Sequence, residues 1–299
     1  MGYKLELFQL RYFVVAAKRL HFTRAAEECF VSQPSLSHQI ANLEKEVGAP
    51  LFYRRGKSVS LTDAGETLLS FAERILSDEI SAKRAIQEVI GLQQGSLTIW
   101  TLPTAGQRLL PPLLAKFRSS HPNIQISLRE MVPSLSISEA VDSGKADIGI
   151  VHLPNEKELL QQTELLTEEI ALVVPMGHWT VDANIVPLSS LSKENFIWAP
   201  EGATRSHPLY AACLTAGFIP KIACTSGSAQ GMQALVAAGL GIALLPRLAI
   251  HPQEGVVIIE LEAPKPTRTL VAVWRQDRLS HAANAFLTSL KSLNSYRKP

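Results

Sequence analysis

The chain has 299 residues, of which 46% are hydrophobic and 19% are charged, so it can form two domains with a sizeable core. Its net charge is only +2, but residues 1–60 hold nine Lys and Arg against five acidic residues, as expected of an N-terminal module that meets phosphates. Three scattered cysteines exclude a disulfide framework or zinc site, and without a signal core or an apolar run of about 18 residues we expect a soluble, cytoplasmic protein.

Residues 5–20 carry apolar side chains at helical spacing and predict a first helix. Residues 21–44 then predict two short helices that are separated by a break at residues 30–31. Thr23 is the expected cap of the first of these two helices, and Ser32 is the expected cap of the second. Two short helices joined by a tight break are typical of a helix-turn-helix.

The second of these helices has an apolar stripe, formed by Leu36, Ile40 and Leu43, and an opposite face of amides, hydroxyls and an imidazole. Such polar groups hydrogen-bond to base edges in the major groove, whereas charge alone only attaches to phosphate. This pattern favours a recognition helix, although two solvated surface helices are the alternative. The residues of this stretch that we expect to meet DNA are Thr23, Arg24, Ser32, Gln33, Pro34, Ser35, Ser37 and His38.

The stretch after the recognition helix has a basic tip around Gly56, followed by alternating apolar residues, which predicts the hairpin of a winged helix. Arg54, Arg55 and Lys57 are candidates for contacts with the DNA backbone or with a narrow minor groove. A solvated turn is the alternative reading.

A long helix of about 28 residues is predicted to follow, with Thr62 as its cap. Its apolar residues repeat every seven positions, and a second seam is interrupted by Glu79. Such a helix cannot bury its seam alone, so we expect it to pair with a second copy and to present two recognition helices to a pseudo-palindromic site. The residues of the first seam are Leu61, Leu68, Ile75, Ala82 and Val89, and those of the second are Ala72 and Ile86.

From residue 96 onward, short apolar runs alternate with helical stretches, which predicts an α/β domain with mostly parallel sheets and two lobes. The expected strands are 97–101, 124–129, 147–151, 169–174, 196–199, 221–225, 241–245, 256–261 and 269–275. The expected helices are 107–119, 134–143, 206–216, 229–238 and 280–293.

Several of these runs together resemble LysR-type transcriptional regulators. FTRAAE at 22–27, SQPSLS at 32–37 and LTDAG at 61–65 are similar to the N-terminal module of that family, and SGKADIGI at 143–150 and ALVAAGLGIALLP at 234–246 are similar to its effector domain. The resemblance covers nearly the whole chain.

The resemblance implies a winged helix-turn-helix domain over 1–61, a dimerising linker helix over 62–91 and an effector-binding domain over 92–299. The last would have two lobes similar to type 2 periplasmic binding proteins, lobe I over about 95–162 and 268–299, and lobe II over about 163–267. It also implies a homotetramer that binds double-stranded promoter DNA, contacts RNA polymerase and responds to a small-molecule effector between the lobes, with no other cofactor. By the same resemblance Gln33, Pro34, Ser37 and His38 face the bases and Arg54 lies at the wing, although an arginine is frequent in the family where His38 stands here.

Ligands of two-lobed α/β folds bind at the carboxyl ends of strands, where helix N-termini point their N–H groups inward. Hydroxyl-rich stretches follow several predicted strands, which predicts a site for a carboxylate or a similar anion. The candidate residues are Thr101, Pro103, Thr104, Ser134, His152, Thr204, Arg205 and Ser226. Ordinary helix caps are the alternative for the hydroxyls, and simple packing is the alternative for His152.

Other function classes are weaker readings of the same residues. An enzyme would need a nucleophile–base pair or a metal set, and no such spacing stands out among eight histidines and three cysteines. A solute-binding transport component does not explain the winged helix, and a regulator that needs no effector stays open. Some members of the resembled family sense peroxide through a cysteine near the position of Thr204, and Cys213 and Cys224 do not reproduce that arrangement.

Overall fold

The computed structural model describes residues 5–55, 58–89, 95–155, 157, 159–183, 185–200 and 207–295. The chain forms two compact units, one built from the residues up to Gly95 together with Ser143–Lys145, and the other from Ser96–Asp142 and the residues from Ala146 on. Among the described residues, no helix combines the length and the apolar character needed to cross a membrane.

The first unit contains four helices and a hairpin among its described residues. Strands β1 and β2 pair antiparallel, with Phe52 opposite Leu61, and so form the predicted wing. The elements are α1 (Leu7–Arg19), α2 (Phe22–Glu28), α3 (Gln33–Val47), β1 (Phe52–Arg55), β2 (Ser58–Leu61) and α4 (Asp63–Val89).

The core of this unit forms where the helices meet the hairpin. The predicted stripe of α3 is completely buried, and the Phe52 ring packs edge-on against Phe13 and Phe22, with centroids 5.6 and 5.3 Å apart. Because this face of α3 supplies the apolar area that stabilises the domain, its polar face is left at the surface.

The cap of α3 is as predicted, and the cap of α2 is not. The Ser32 hydroxyl accepts a hydrogen bond from the Ser35 N–H at 3.3 Å. Helix α2, however, begins two residues earlier than expected, because its cap is His21, which is in the extended conformation and whose Nδ1 accepts from the Arg24 N–H at 3.3 Å. Thr23 therefore lies inside the first turn, where its side chain is exposed.

Helix α4 is joined tightly to the hairpin. The Thr62 hydroxyl accepts from the Gly65 N–H at 3.0 Å and donates to the Pro50 carbonyl at 2.7 Å, which confirms Thr62 as the cap. A Cβ atom at Gly65 would lie 2.2 Å from the Leu51 carbonyl oxygen. Only glycine permits this close approach of helix and chain, so the start of α4 is fixed within the domain.

The exposed apolar side chains of α4 differ from the predicted seams. Ala72 is completely buried in the core of its own unit and is not part of a second seam, and the Glu79 carboxylate pairs with Arg11 of α1 at 2.6 Å. Four of the exposed apolar residues lie on one side at spacings of four and seven, which is the spacing of a face that pairs with another helix, whereas the exposed Ile80 does not share this spacing. We call these four residues the linker stripe, and they are Phe71, Ile75, Ala82 and Ile86.

The second unit alternates strands and helices. Its strands are β3 (Ser96–Thr101), β4 (Gln125–Glu130), β5 (Ile148–His152), β6 (Gln161–Pro175), β7 (Ile185–Val186), β8 (Asn195–Trp198), β9 (Lys221–Thr225), β10 (Ala243–Pro246), β11 (Val256–Leu261) and β12 (Thr267–Trp274). Its helices are α5 (Leu110–Ser120), which continues a π-helical turn at Ala105–Leu109, α6 (Ser134–Asp142), α7 (Pro208–Thr215), α8 (Ala229–Ala237) and α9 (His281–Ser295).

The main sheet of this unit has the order β4-β3-β5-β12-β6-β11-β7, with β10 also paired to β6. Strand β3 runs parallel to β4 and β5, whereas β12 runs antiparallel to β5 and β6, and β10 and β11 run antiparallel to β6. The sheet is therefore mixed, and the expectation of mostly parallel strands was wrong.

Each lobe has its own core, which confirms the predicted two-lobed α/β fold. The core of the first lobe surrounds Phe286 and includes β3, β5 and α9. The second lobe has one cluster around Phe196, which includes β10 and β11, and another around Val236 of α8. Strands β6 and β12 run from one core to the other as an antiparallel ribbon. The prediction had found only the second half of β6, since its first half is mostly exposed and polar.

Candidate functional site

The N-terminal half of α3 presents a polar surface. Ser32, Gln33, Pro34, Ser35 and His38 are exposed, and the half-buried Ser37 accepts a hydrogen bond from the Gln33 amide at 2.8 Å. This bond holds the amide of Gln33 over the first turn. The surface has hydrogen-bond donors and acceptors but no formal charge, which suits base edges more than phosphates.

The first turn of α2 extends this polar surface, whereas Gln39, a polar residue of α3, does not belong to it. Thr23 and Arg24 are both exposed, as expected of residues that reach the DNA backbone. Gln39, by contrast, is half-buried, and its Oε1 lies 3.5 Å from the Gln9 amide of α1. Its polar side chain therefore braces α1 against α3.

The structure does not test the DNA contacts that were predicted for the tip of the wing. The backbone of Arg54 and Arg55 lies in β1, but the side chains of both residues, and Lys57 as a whole, lie outside the described residues. Their contacts with DNA stay a prediction from the sequence.

The second unit contains a cavity of about 170 Å³ between its two lobes. A cavity of 150 Å³ accommodates a ligand of the size of benzene, so this one accepts a single ring or a short branched chain with a small polar group. Its walls are mainly apolar, and its polar side chains are few, as is usual for a ligand pocket. The lining residues are Leu102, Val132, His152, Ile170, Trp198, Ala199, His207, Pro208, Leu209, Met232, Leu244, Leu245, Pro246, Thr267 and Arg268.

One of the predicted effector residues lines this cavity, and two others contact polar residues that line it. His152 lines it, and the His152 N–H lies 3.5 Å from the Ser134 hydroxyl at the start of α6. Thr104 accepts a hydrogen bond from Arg268 Nη2 at 3.1 Å. Thr104 and Ser134 thus hold groups that line the cavity.

The other predicted effector residues lie elsewhere. Thr101 is completely buried and donates to the Leu102 carbonyl at 3.1 Å. Pro103 and Ser226 are described but do not line the cavity, and the Ser226 hydroxyl donates to the Ser228 carbonyl at 3.4 Å. Thr204 and Arg205 lie outside the described residues.

Arg268, which lines the cavity, forms an ion pair that the sequence did not reveal. Arg268 donates through Nε and Nη2 to one oxygen of Glu168, at 3.0 and 2.6 Å. The other oxygen of Glu168 accepts from the Leu248 N–H at 2.8 Å. The two residues face each other in the β6–β12 register, and the Glu168 side chain is only 5% exposed. The Arg268 charge is therefore largely balanced before any ligand binds.

Two histidines give the cavity its remaining polar character. The His152 and His207 rings lie edge to face with centroids 6.1 Å apart. His207 Nδ1 accepts from the Leu209 N–H at 3.3 Å and so caps α7. His152 Nδ1 lies 3.2 Å from the Leu153 carbonyl, which can only accept. In their neutral forms His207 therefore keeps a hydrogen on Nε2 and His152 keeps a lone pair there, so the pair offers one donor and one acceptor.

Burial keeps both histidines neutral near pH 7. Loss of hydration lowers the pKa of His207 to about 4, with smaller contributions from His152 and the Arg268 guanidinium. Burial likewise lowers the pKa of His152, and Arg268 lowers it further. Each ring nevertheless accepts a proton more readily beside a negative ligand, since an opposite charge at short range favours the charged form.

Metal binding and redox chemistry would each need particular side chains in the described part of the chain. Within it, no three His, Cys, Asp or Glu side chains are grouped so that they could hold a metal ion. Cys213 is completely buried, and burial raises the pKa of its thiol to about 11. A thiol in such surroundings is unreactive, because the thiolate is the reactive form.

Comparisons with known proteins agree in both halves of the chain. Residues 7–66 match the family model "Bacterial regulatory helix-turn-helix protein, lysR family", and residues 91–294 match "LysR substrate binding domain". The uncharacterized HTH-type transcriptional regulator YwbI of Bacillus subtilis is 33% identical over 96% of each chain. The DNA-binding transcriptional dual regulator OxyR of Escherichia coli is 32% identical over 91% of this chain and 90% of its own.

A solved structure extends the comparison to the fold. Full-length CbnR complexed with its target DNA superposes with a TM-score of 0.72, covers 97% of this chain and 100% of its own, and is 22% identical. At that identity the likeness concerns the fold alone.

Proposed function

The chain belongs to the LysR family of DNA-binding transcriptional regulators, and from this premise we propose how it reads DNA and what it senses. It binds a pseudo-palindromic promoter site through the exposed face of α3, aided by the wing. It responds to a small anionic effector held in the cavity between the lobes. The observation that carries the proposal is the His152, His207 and Arg268 cluster in an otherwise apolar cavity.

The DNA-reading part of the proposal assigns different tasks to different residues. Gln33, Pro34, Ser37 and His38 face the bases, whereas Thr23, Arg24, Ser32 and Ser35 meet the backbone at the start of the two helices. Arg54 and Arg55 meet the phosphates or the minor groove at the wing. Base contacts specify the sequence, and backbone contacts set the register and most of the affinity.

The effector part follows from the chemistry of the cavity. Among the described residues, Arg268 is the only charged side chain that lines the cavity, and the carboxylate of its partner Glu168 points to Arg268 and to the Leu248 N–H. An anionic head group fits beside the guanidinium and the two histidines, and its apolar body fits against Ile170, Trp198 and Leu244. Thr104 helps to orient the Arg268 guanidinium, and Ser134 contacts the backbone N–H of His152.

The assembly is proposed from the linker stripe and from the family. LysR regulators form oligomers, and two α4 helices that bury their linker stripes against each other form a dimer with two recognition helices. We further assign this protein a homotetramer, a cytoplasmic location and contact with RNA polymerase at promoters. No catalytic step is assigned to the cavity, so a bound compound is expected to be released unchanged.

The first test is selection of genomic DNA fragments by the purified protein, at near-physiological salt and with random competitor DNA. The expected result is enrichment of a dyad-symmetric site. Binding that only fades as salt rises, without enrichment, would show phosphate attraction alone and would contradict the assigned role of α3.

The second test concerns the effector. Small carboxylates and the matched neutral amides are screened for a rise in melting temperature, since a ligand that binds only the folded state stabilises it. Leu245→Phe narrows the cavity and is expected to abolish the rise. Ile258→Phe is the matched control, because Ile258 is 43% exposed on β11 and does not line the cavity. An equal rise in both variants would contradict the assigned site.

A further inference from the structure

Phe30 occupies a backbone position that is normally taken by glycine. Helix α2 ends in a Schellman motif, in which the Val31 N–H donates to the Ala26 carbonyl at 3.0 Å and the Phe30 N–H donates to the Glu27 carbonyl at 3.1 Å. This motif places Phe30 in the left-handed region, with φ of 56°. A side chain with a Cβ atom is strained there, which is why glycine or asparagine is usual.

The Phe30 ring gains nothing from burial that would offset this strain. It is 95% exposed, more than any other exposed large apolar side chain among the described residues. Phe22 provides a contrast within the same helix, because its ring is partly buried and packs against Phe52. The fold therefore does not explain a phenylalanine at position 30, and a strained residue without a structural role points to function.

The position of Phe30 relates it to the proposed DNA-reading surface. It stands two residues before Ser32, the cap of α3, and three before the exposed Gln33. In a helix-turn-helix the N-terminal residues of the recognition helix enter the major groove. When α3 enters the groove, the exposed Phe30 ring at the turn before it is therefore brought close to the duplex.

We propose that Phe30 is an additional DNA-contacting residue, whose ring packs on an apolar part of the operator. This inference rests on the proposed DNA-reading role of α3. A duplex offers apolar surface as the thymine 5-methyl group in the major groove and as the face of the deoxyribose, and Phe is among the residues that contact thymine methyl groups. The ring adds affinity, and adds base preference where its partner is a methyl group.

The test compares Phe30→Asn with the wild-type protein on the operator selected from genomic DNA. Asparagine tolerates the left-handed conformation, so the variant keeps the Schellman motif and is expected to melt no lower than the wild type. Its affinity for the operator is expected to fall roughly five- to tenfold, as for the loss of a partly buried aromatic contact. The salt dependence of binding is expected to stay unchanged, because no charge is removed.

Leu20→Asn is the matched control. Leu20 also has a positive φ, 47°, at the end of a helix, but it caps α1 and is only 44% exposed. The same substitution relieves the same backbone strain there, and the affinity for the operator is expected to remain that of the wild type. An equal loss of affinity in both variants would assign the effect to the backbone and overturn the proposal.

Operators with deoxyuridine in place of single thymidines distinguish the two apolar partners. A methyl contact predicts that one substitution per half-site weakens binding of the wild type but not of Phe30→Asn. A deoxyribose contact predicts the loss in Phe30→Asn with no effect of deoxyuridine. The proposal is overturned if Phe30→Asn binds the operator as tightly as the wild type, or if sedimentation shows that it changes only self-association. Failure of the wild type to select any site would instead contradict the proposed role of α3.

Discussion

The Arg268 guanidinium and the Glu168 carboxylate face each other across the ribbon that joins the two lobes, with Nη2 2.6 Å from Oε1. Arg268 lines the cavity, and the pair lies on the connection between the lobes. A charge that enters the cavity therefore acts on the same residues that hold the connecting strands together.

Removal of Glu168 and removal of Arg268 are expected to change the ligand affinity in opposite directions. Glu168→Gln leaves the Arg268 charge unbalanced, so the affinity for the best carboxylate of the effector screen should rise roughly tenfold, whereas Arg268→Gln should lower it by a similar factor. Both variants should lose about 3 kcal/mol in the free energy of unfolding, because each leaves a buried partner unsatisfied. Calorimetric titration and urea denaturation measure the two effects, and affinity changes of the same sign would contradict the model.

The pH dependence of stability follows from His207. Its pKa is about 4 in the folded protein against 6.5 as the ordinary value, so between these values the unfolded chain binds more protons. The free energy of unfolding should therefore fall as the pH drops from about 6.5 to about 4, by about 1–2 kcal/mol after allowance for solvent screening of a partly exposed ring.

The matched variant for this prediction is His207→Asn, because asparagine can also cap α7 but does not titrate in this range. Its free energy of unfolding, measured by urea denaturation across the same pH range, should depend less on pH. Identical slopes for the variant and the wild type would show that His207 is not the responsible group.

Two substitutions in the N-terminal domain should separate specificity from general affinity. Gln33→Ala removes an exposed amide at the start of α3 and should lower the preference for the operator over random DNA by about 1–3 kcal/mol. Arg54→Ala should weaken binding to both kinds of DNA and reduce the salt slope by about 1. Equal loss on operator and random DNA for Gln33→Ala would refute a base contact.

The linker stripe should control self-association. Ile75→Glu places a charge at a side chain that is 39% exposed in the isolated chain, so it should weaken the dimer at least tenfold in sedimentation experiments, because a buried charge in a helix pair is costly. Ser70→Glu places the same charge on the opposite side of α4 and should leave the dimer intact. If both variants remain dimers, the dimer interface lies elsewhere.

Peroxide sensing through Cys213 is not expected in this protein. Burial raises the pKa of the Cys213 thiol to about 11, so its thiolate is scarce at neutral pH and reacts slowly. Hydrogen peroxide at micromolar concentration should therefore leave operator binding unchanged in gel-shift experiments, and Cys213→Ala should behave in the same way. A peroxide-dependent change that Cys213→Ala abolishes would contradict this reading.

The sequence predicted what depends on nearby residues. The apolar stripe of α3, the Ser32 and Thr62 caps and the hairpin of the wing are encoded within a few positions, and the structure contains all of them. The cap of α2 was misassigned because Thr and His can both accept the bond, and only the backbone conformation at position 21 distinguishes them. Ala72 was misassigned because a heptad pattern does not show which neighbour covers it.

The cavity could not be predicted from the sequence, because it is formed by contacts between residues that are far apart in the chain. Arg268 and Glu168 are one hundred positions apart and meet only through the β6–β12 register. His207 looked like an ordinary residue before a proline, and its role follows from its distance to His152. Among the predicted hydroxyls, those of Thr104 and Ser134 contact polar residues that line the cavity. The sequence indicates where helices start, but it does not show which helix starts lie close together.

The close join between α4 and the wing has a consequence for the operator. Gly65 against the Leu51 carbonyl and Thr62 against Pro50 leave no hinge between the reading helix and the helix that carries the linker stripe. In a dimer built on that stripe, each DNA-binding domain and its α4 helix move as one rigid body. The protein then sets the distance between the two half-sites. An operator with one inserted base pair must twist or bend before both recognition helices can bind it.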